Sequence, residues 1–201
     1  MSTKLLGILL LLLLTLNCLG QNKKTKSKIT IFNSDAFYKS KKISFKLINF
    51  DDEIDGYESD KNTIFEIKQN NYITKNILKD SLFCRVQIIE FADFNNDKIK
   101  DILVQNISDV RSNWTYNLFL YNPQKNTFKR VEGFEEIKNP KYNSKYNIVE
   151  SYVVSGHDWM GFYKIVKNKV HNYKIEIDNY HDEKFNSEYK KSIKRILKRK
   201  I

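Results

Sequence analysis

Nine residues near the middle of the chain, Asp93-Phe94-Asn95-Asn96-Asp97-Lys98-Ile99-Lys100-Asp101, put side-chain oxygens at relative positions 1, 3, 5 and 9. A loop wrapped around a point turns alternate residues inward, and a hard cation such as calcium takes six to eight oxygens at about 2.3–2.6 Å. On that reading Asp93, Asn95 and Asp97 aim at one centre. Ile99 offers its backbone carbonyl, and Asp101 closes the site directly or through water. The same carboxylates repel one another without an ion, so the metal orders the connection between two strands. A second reading of the same residues is an Asx-rich turn that holds no metal. Position six, where glycine is usual because the chain turns sharply, is Lys98, and a side chain at positive φ costs of order 1 kcal/mol. Position 12 is Val104, not the Glu of an EF-hand.

Other chemistry-bearing residues are sparse. The chain has 3 His and 2 Cys, too few for a zinc site or a disulfide scaffold, and its 6 Gly form no phosphate-binding fingerprint. Cys84 reads as a buried structural thiol in the strand-like run Phe83-Cys84-Arg85-Val86. His171 and His181 lack metal-ligand spacing and read as surface imidazoles. Ser155-Gly156-His157-Asp158-Trp159-Met160-Gly161 separates two expected strands. Exposed, His157, Asp158 and Trp159 make a partner-binding patch; folded back, Trp159 joins the core. Asn106-Ile107-Ser108 and Asn113-Trp114-Thr115 match glycosylation sequons. No nucleophile elbow accompanies these residues, and the best carboxylate cluster reads as a metal cage, not an acid/base pair. The expectation is a protein with no catalytic residues.

The ends of the chain speak to location. Lys4 precedes an unbroken apolar run, Leu5 to Leu14, followed by Thr15-Leu16-Asn17-Cys18-Leu19-Gly20-Gln21. This is the n-region, h-region and small-residue exit of an export signal over residues 1–20, short for a membrane span. Cleavage before Gln21 leaves a soluble secreted chain. Alternatively Cys18 is the lipidated cysteine of a bacterial lipoprotein, although Thr15 stands where an aliphatic residue is usual. The product is periplasmic or outer-membrane-associated, or secreted if not lipidated. Residues 21–28 form a basic spacer. The net charge is +11, yet Lys190 to Ile201 alone carries seven cations and no acid, so the basicity is largely a tail. Tyr189, Ile193, Ile196, Leu197 and Ile201 recur at helical spacing, which predicts an amphipathic basic helix within residues 179–201. Either its stripe docks on the domain, or residues 190–201 reach an anionic envelope surface. An exported chain has no nucleic acid as its partner.

Between the ends the period is two. Ile43, Phe45 and Leu47 alternate with polar residues, and Ile64, Phe65 and Ile67 do so less strictly. Val86-Gln87-Ile88-Ile89-Glu90-Phe91 and Ile102-Leu103-Val104 bracket the acidic bend, and Tyr116–Tyr121 turns through Asn122–Asn126 into Thr127–Val131. Residues 148–154, 162–166 and 170–177 read as further strands, with Lys167-Asn168-Lys169 as a tight connector. Asp51–Lys61 reads as an acidic solvated loop. Strands at short intervals without helices between them predict a mainly β antiparallel meander, propeller-like or a sandwich, over residues 29–178.

Phe91-Ala92-Asp93-Phe94-Asn95-Asn96-Asp97-Lys98-Ile99-Lys100-Asp101-Ile102-Leu103 resembles the calcium-loop segment of FG-GAP/VCBS-type β-repeats. The chain around it resembles a group of small exported bacterial proteins with one such loop. The landmarks are Leu118-Phe119-Leu120-Tyr121-Asn122, Phe128, Asn139-Pro140-Lys141-Tyr142, Ser151 and Tyr163-Lys164-Ile165. That group includes periplasmic immunity lipoproteins that inhibit lysozyme-like, peptidoglycan-cleaving enzymes. The resemblance spans about residues 83–177 and carries over only the calcium ligands. It implies Ca²⁺ as cofactor and a cell-wall hydrolase as protein partner. A structural or adhesive envelope module, using the tail on anionic polymer, is the alternative.

Overall fold

The computed structural model describes residues 27–38, 41–50, 61–70, 73–109, 111–178 and 183–199. The export signal with Cys18, the acidic loop 51–60 and His181 lie outside the described residues. The protein is mainly β, with three open antiparallel sheets of four strands, each a meander of consecutive strands. The first sheet comprises β1 (Ser27–Asn33), β2 (Ile43–Phe50), β3 (Thr63–Asn70) and β4 (Thr74–Leu82). The middle sheet comprises β5 (Ile89–Ala92), β6 (Asp101–Ser108), β7 (Trp114–Asn122) and β8 (Thr127–Arg130). The third comprises β9 (Pro140–Asn143), β10 (Ile148–Val153), β11 (Trp159–Val166) and β12 (Lys169–Asp178). A short helix α1 (Asp35–Tyr38) follows β1, and α2 (Phe185–Leu197) ends the described chain.

Alternation explains the first sheet. In β2 and β3 every second residue is buried, and register brings Phe45 opposite Ile67 and Leu47 opposite Phe65. Ile64 falls on the outer face, where it aligns with Ile48, itself paired with Ile29 of β1. The inner face packs onto Ile102, Val104, Phe119, Tyr121 and Phe128 of the middle sheet. β6 has no solvent face along most of its length, which is why Ile102, Leu103 and Val104 follow one another without a polar residue between them. Its neighbouring residue Leu103 points the other way, with Leu118, into a second core closed by Val149, Tyr163, Ile165 and Val170 of the third sheet.

The third sheet is also two-sided. Met160, Phe162, Tyr173, Ile175 and Ile177 form a third core under Ile193 and Ile196 of α2, with Phe185 and Tyr189 beside them. The order of layers therefore follows the order of the chain: sheet, sheet, sheet, helix. A helix of 13 residues is marginal alone. Burying Ile193 and Ile196 supplies about 1.5–3 kcal/mol each, so docking holds it in place.

Turn residues behave as their chemistry dictates. Lys167 and Asn168 have φ of 49° and 62°, the paired left-handed conformation of a two-residue hairpin between Val166 and Lys169. Asn126 and Asn147 close two other turns at φ of 50° and 53°. The strand-like run Phe83-Cys84-Arg85-Val86 is a correction: β4 ends at Leu82, β5 begins at Ile89, and the run is the crossing between sheets. The Asn62 side chain accepts from the Cys84 N–H and donates to the Cys84 carbonyl, and the Arg85 N–H donates to the Asn106 carbonyl.

Polar side chains join the middle and third sheets. Asn113 is buried, and its amide nitrogen donates to Asp109 and to the Val154 carbonyl. Its oxygen accepts from the Val154 N–H and from Asn139, which also donates to the Tyr152 carbonyl and accepts the Trp114 N–H. Ser151 donates to the Lys138 carbonyl at 2.6 Å. Asp109 receives the Asn113 and Arg111 N–H groups and pairs with Lys138 at 3.1 Å. The Asn113 N–H and amide, aided by Lys138, hold the Asp109 carboxyl well below the usual carboxylate range. A depressed folded-state value gives stability that is present above the ordinary carboxylate range and lost progressively as pH falls from that range toward the depressed value. Asp109→Asn is expected to be less stable than the parent at pH 6, with the gap closing below about pH 4. Urea unfolding at pH 6, 4 and 2.5 measures this; a gap independent of pH refutes the assignment.

Candidate functional site

The acidic bend connects β5 to β6. Asp93 Oδ1 accepts the N–H groups of Asn95 and Asn96 at 3.1 and 2.6 Å, and Oδ2 accepts that of Lys98 at 2.9 Å. Asn95 Oδ1 accepts the Asp97 N–H at 3.0 Å, and Asp97 Oδ1 accepts the Ile99 N–H at 2.8 Å. Each acceptor tightens the chain by two to five residues, which coils the segment around its own carboxylates. Lys98 adopts φ of 68° and Asn96 φ of 63°, so the sixth position takes the left-handed turn despite its side chain. Phe94 plugs the bend into the second core, edge-on to Phe134 at 5.3 Å. Ile99 packs against the first core.

Asp101 differs from the other acids. It is wholly buried at the start of β6, and its oxygens accept the Phe94 N–H at 2.8 Å and the Tyr121 N–H at 2.9 Å. Burial pushes its carboxyl up to about 7 against the pull of those bonds, and the charges of Asp97 and Asp93 add to the rise. Tyr38 on α1 donates its hydroxyl to the Lys100 carbonyl, and burial with the Asp101 charge raises that hydroxyl far above its ordinary value. Tyr38 ties the first sheet to the bend, a contact across 62 residues of sequence that no local pattern announces.

Donor chemistry here suits a hard cation. An oxygen of Asp93, the Asn95 carbonyl oxygen and both Asp97 oxygens each retain a lone pair beyond their hydrogen bonds. Three carboxylates do not converge: among the described residues no group of three or more His, Cys, Asp or Glu is placed to hold a metal. Asp101 faces the backbone of its own fold. The residues that fit an ion are thus Asp93, Asn95 and Asp97, with the Ile99 carbonyl next along the coil.

The loop before β11 arranges its three candidates differently. Asp158 accepts the Ser155 N–H at 2.9 Å and the Tyr152 hydroxyl at 3.0 Å, so it holds the loop together. Trp159 is half-buried and folds along its own strand: a Cβ on Gly161 would stand 3.0 Å from its ring and 3.3 Å from that of Tyr163. His157 alone is exposed. The three do not form one outward patch.

Residues from four segments line a groove of about 530 Å³ between the middle and third sheets. Trp114 and Tyr116 of β7 form one wall, Pro140, Lys141 and Tyr142 of β9 another, and Asp93 and Phe94 of the bend an end. Tyr116 donates to Glu90 at 2.8 Å across its rim, and Tyr142 lies 5.8 Å from the Phe94 ring. Sequence reasoning missed Trp114, Tyr116 and Glu90 as site residues; the alternation of Trp114 and Tyr116 along one strand face was the available signal.

The remaining candidates are structural. Cys84 is buried, its thiol directed to the Val86 carbonyl at 3.0 Å and pushed up to about 11 by burial. The sequon asparagines Asn106 and Asn113 are both buried, so the folded domain presents neither as a glycan acceptor. His171 is exposed, edge-on to Tyr173. Comparisons with protein-family models, curated proteins and solved structures returned no match for this chain.

Lys98→Gly is expected to stabilise the domain by about 0.5–1 kcal/mol, since the left-handed strain removed exceeds the glycine entropy added. Denaturant midpoints of the two proteins measure it; a glycine variant less stable than the parent contradicts the strained turn.

Proposed function

We propose that this chain is an exported, non-catalytic calcium-binding β protein that inhibits a peptidoglycan-cleaving, lysozyme-like enzyme. One observation carries the reading. The segments that resemble the immunity-protein group, the Asp93–Asp101 bend and Asn139-Pro140-Lys141-Tyr142, lie far apart in sequence yet wall the same groove. Aromatic side chains there offer large contact area at low entropic cost, which suits a protein partner. Asp93, Asn95, Asp97 and the Ile99 carbonyl would hold the ion, with Asp101 framing the bend from behind. Bound calcium supplies fixed positive charge among the carboxylates and stiffens that end of the groove. The periplasm or outer membrane is the place of action, reached through the leader or an anchor at Cys18.

Two measurements separate the metal from the inhibition. Millimolar calcium is expected to raise the melting temperature over a chelator control, and Asp93→Ala with Asp97→Ala to abolish the shift. Purified domain in calcium is expected to inhibit at least one of several muramidases, and Tyr116→Ala to weaken that inhibition. A missing thermal shift removes the calcium; no inhibition of any enzyme removes the partner.

The docked helix favours a second reading, an envelope module. Lys190, Lys191, Lys194, Arg195 and Lys198 are exposed, and none forms an ion pair among the described residues. Such a face suits an anionic surface, and with Ile193 and Ile196 buried the helix offers that surface its cations beside the exposed Leu197. Truncation would remove Ile193 and Ile196 from the core, so neutralising Lys191, Lys194 and Lys198 to Ala is the cleaner change. Sedimentation with anionic vesicles is expected to fall between 50 and 300 mM salt and in this variant; binding indifferent to both argues against the reading.

A further inference from the structure

Three open sheets have six edge strands, and unpaired backbone along an edge invites another strand. Five of the six edges carry a device that discourages it. β5, β8 and β9 run only four residues each. β4 bulges between Asn76 and Leu78 and carries Lys75, Lys79 and Asp80. β12 bulges between Asn172 and Glu176, where Lys174 takes φ of 51°. β1 has none of these. Its seven residues pair with β2 without a shift, and Lys28 is their one charge.

The ladder fixes which groups of β1 are free. Phe50 of β2 donates its N–H to Asn62, and Lys42 accepts from Asn70 of β3, each at 2.8 Å. Backbone groups alternate sides along an antiparallel strand. Phe45, Leu47 and Asn49 of β2 therefore face β1, opposite Phe32, Thr30 and Lys28. Ile29 and Ile31 lie between these and turn their N–H and C=O groups outward. Among the described residues no backbone group answers them. The two isoleucines are also 53% and 70% exposed. Phe37 of α1, 43% exposed and stacked at 4.5 Å on Phe91 of the edge strand β5, extends the apolar surface along this flank.

We propose that β1 pairs antiparallel with β1 of a second copy, joining two first sheets into one of eight strands. A two-fold axis at Thr30 uses all seven residues, a seam of about 24 Å at roughly 3.4 Å per residue. Ile29 then stands opposite Ile31 of the second copy, and each outward N–H donates to the other's carbonyl. Residues opposite one another share a face, so the inner faces of both sheets stay on one side. Lys28 meets Phe32 and not its own twin, so no like charges oppose. The outer row Ile64–Ile48–Ile29 continues into Ile31 of the second copy and stops at that copy's Lys46. A strand from another protein would satisfy the same backbone groups. Matching Ile to Ile across a two-fold axis is a property of this strand with itself. Neither calcium nor a hydrolase enters the pairing.

A seam of one strand pair is small, so association is expected in the micromolar range. Sedimentation of the mature chain from Gln21 onward, between about 5 and 500 µM, is expected to show the mass rising from one copy toward two. At the higher concentration the Ile29 and Ile31 amides are expected to exchange hydrogen at least tenfold more slowly, with Thr30 unchanged. Ile31→Pro removes an outward N–H that the β2 ladder does not use. Ile31→Lys leaves the backbone intact and sets a charge on the seam. Both are expected to keep the parent's circular dichroism and to remain monomeric throughout; should the proline variant not fold, the lysine variant decides. The proposal is overturned if the parent stays monomeric, if it dimerises with the Ile29 and Ile31 amides still exchanging as in the monomer, or if Ile31→Lys dimerises like the parent.

Discussion

The middle sheet carries apolar side chains on both faces, and the rest of the fold follows from the need to cover it twice. Ile102, Val104 and Phe119 on one side and Leu103 and Leu118 on the other leave most of β6 and the centre of β7 without contact with water. The first sheet covers one face and the third sheet the other. Covering the third sheet's own far face then falls to α2. At one end of the stack the helix turns its cations outward; at the other the first sheet's outer face mixes the Lys46–Glu66 pair with Ile29, Ile31, Ile48 and Ile64.

The acidic bend is built into this stack and does not hang from it. Phe94 is fixed in the second core, Ile99 leans on the first, and Asp101 is buried between the strands. Burial of Asp101 is unfavourable for its charge, and the backbone N–H groups of Phe94 and Tyr121 offset part of that cost. The exposed carboxylates of the bend spend their oxygens on the coil they create. A cation held there would act on a loop whose backbone is already shaped, so it would stiffen a wall of the groove more than reorganise it.

Two concave sites occupy opposite faces of one sheet and differ in character. The groove on the third-sheet side is aromatic, with Glu90 and Asp93 at its margins. The cavity on the first-sheet side, of about 350 Å³, is lined by Arg85, Arg130, Asn117 and Glu135. Residues two apart on β7 share a face and neighbours do not, so Tyr116 belongs to the groove and Asn117 to the cavity.

Much of this was legible in the chain itself. Period-two alternation in β2 and β3, the Asn-containing turn at Lys167-Asn168, the amphipathic stripe of α2 and the coiled acidic bend are local patterns, because backbone geometry fixes which residues share a face. β1, β4 and β9 escaped notice: β4 is an edge strand rich in Lys, Asn and Asp, whose one inner face leaves little apolar signal, and β9 is an edge strand of four residues that opens on a proline. The crossing at Phe83–Val86 looked like a strand because apolar residues serve equally in strands and between packed sheets.

What only the tertiary structure decided was which pieces meet. Tyr38 reaching the bend, Asp158 turned inward to hold its loop, Trp159 folded over Gly161, and Asp93 sharing a groove with Tyr142 all depend on sheets packing face to face. Those contacts join residues tens of positions apart, and their side chains carry no local periodicity that marks them as partners. The residues determined the sheets; the burial of both faces of the middle one decided the sites.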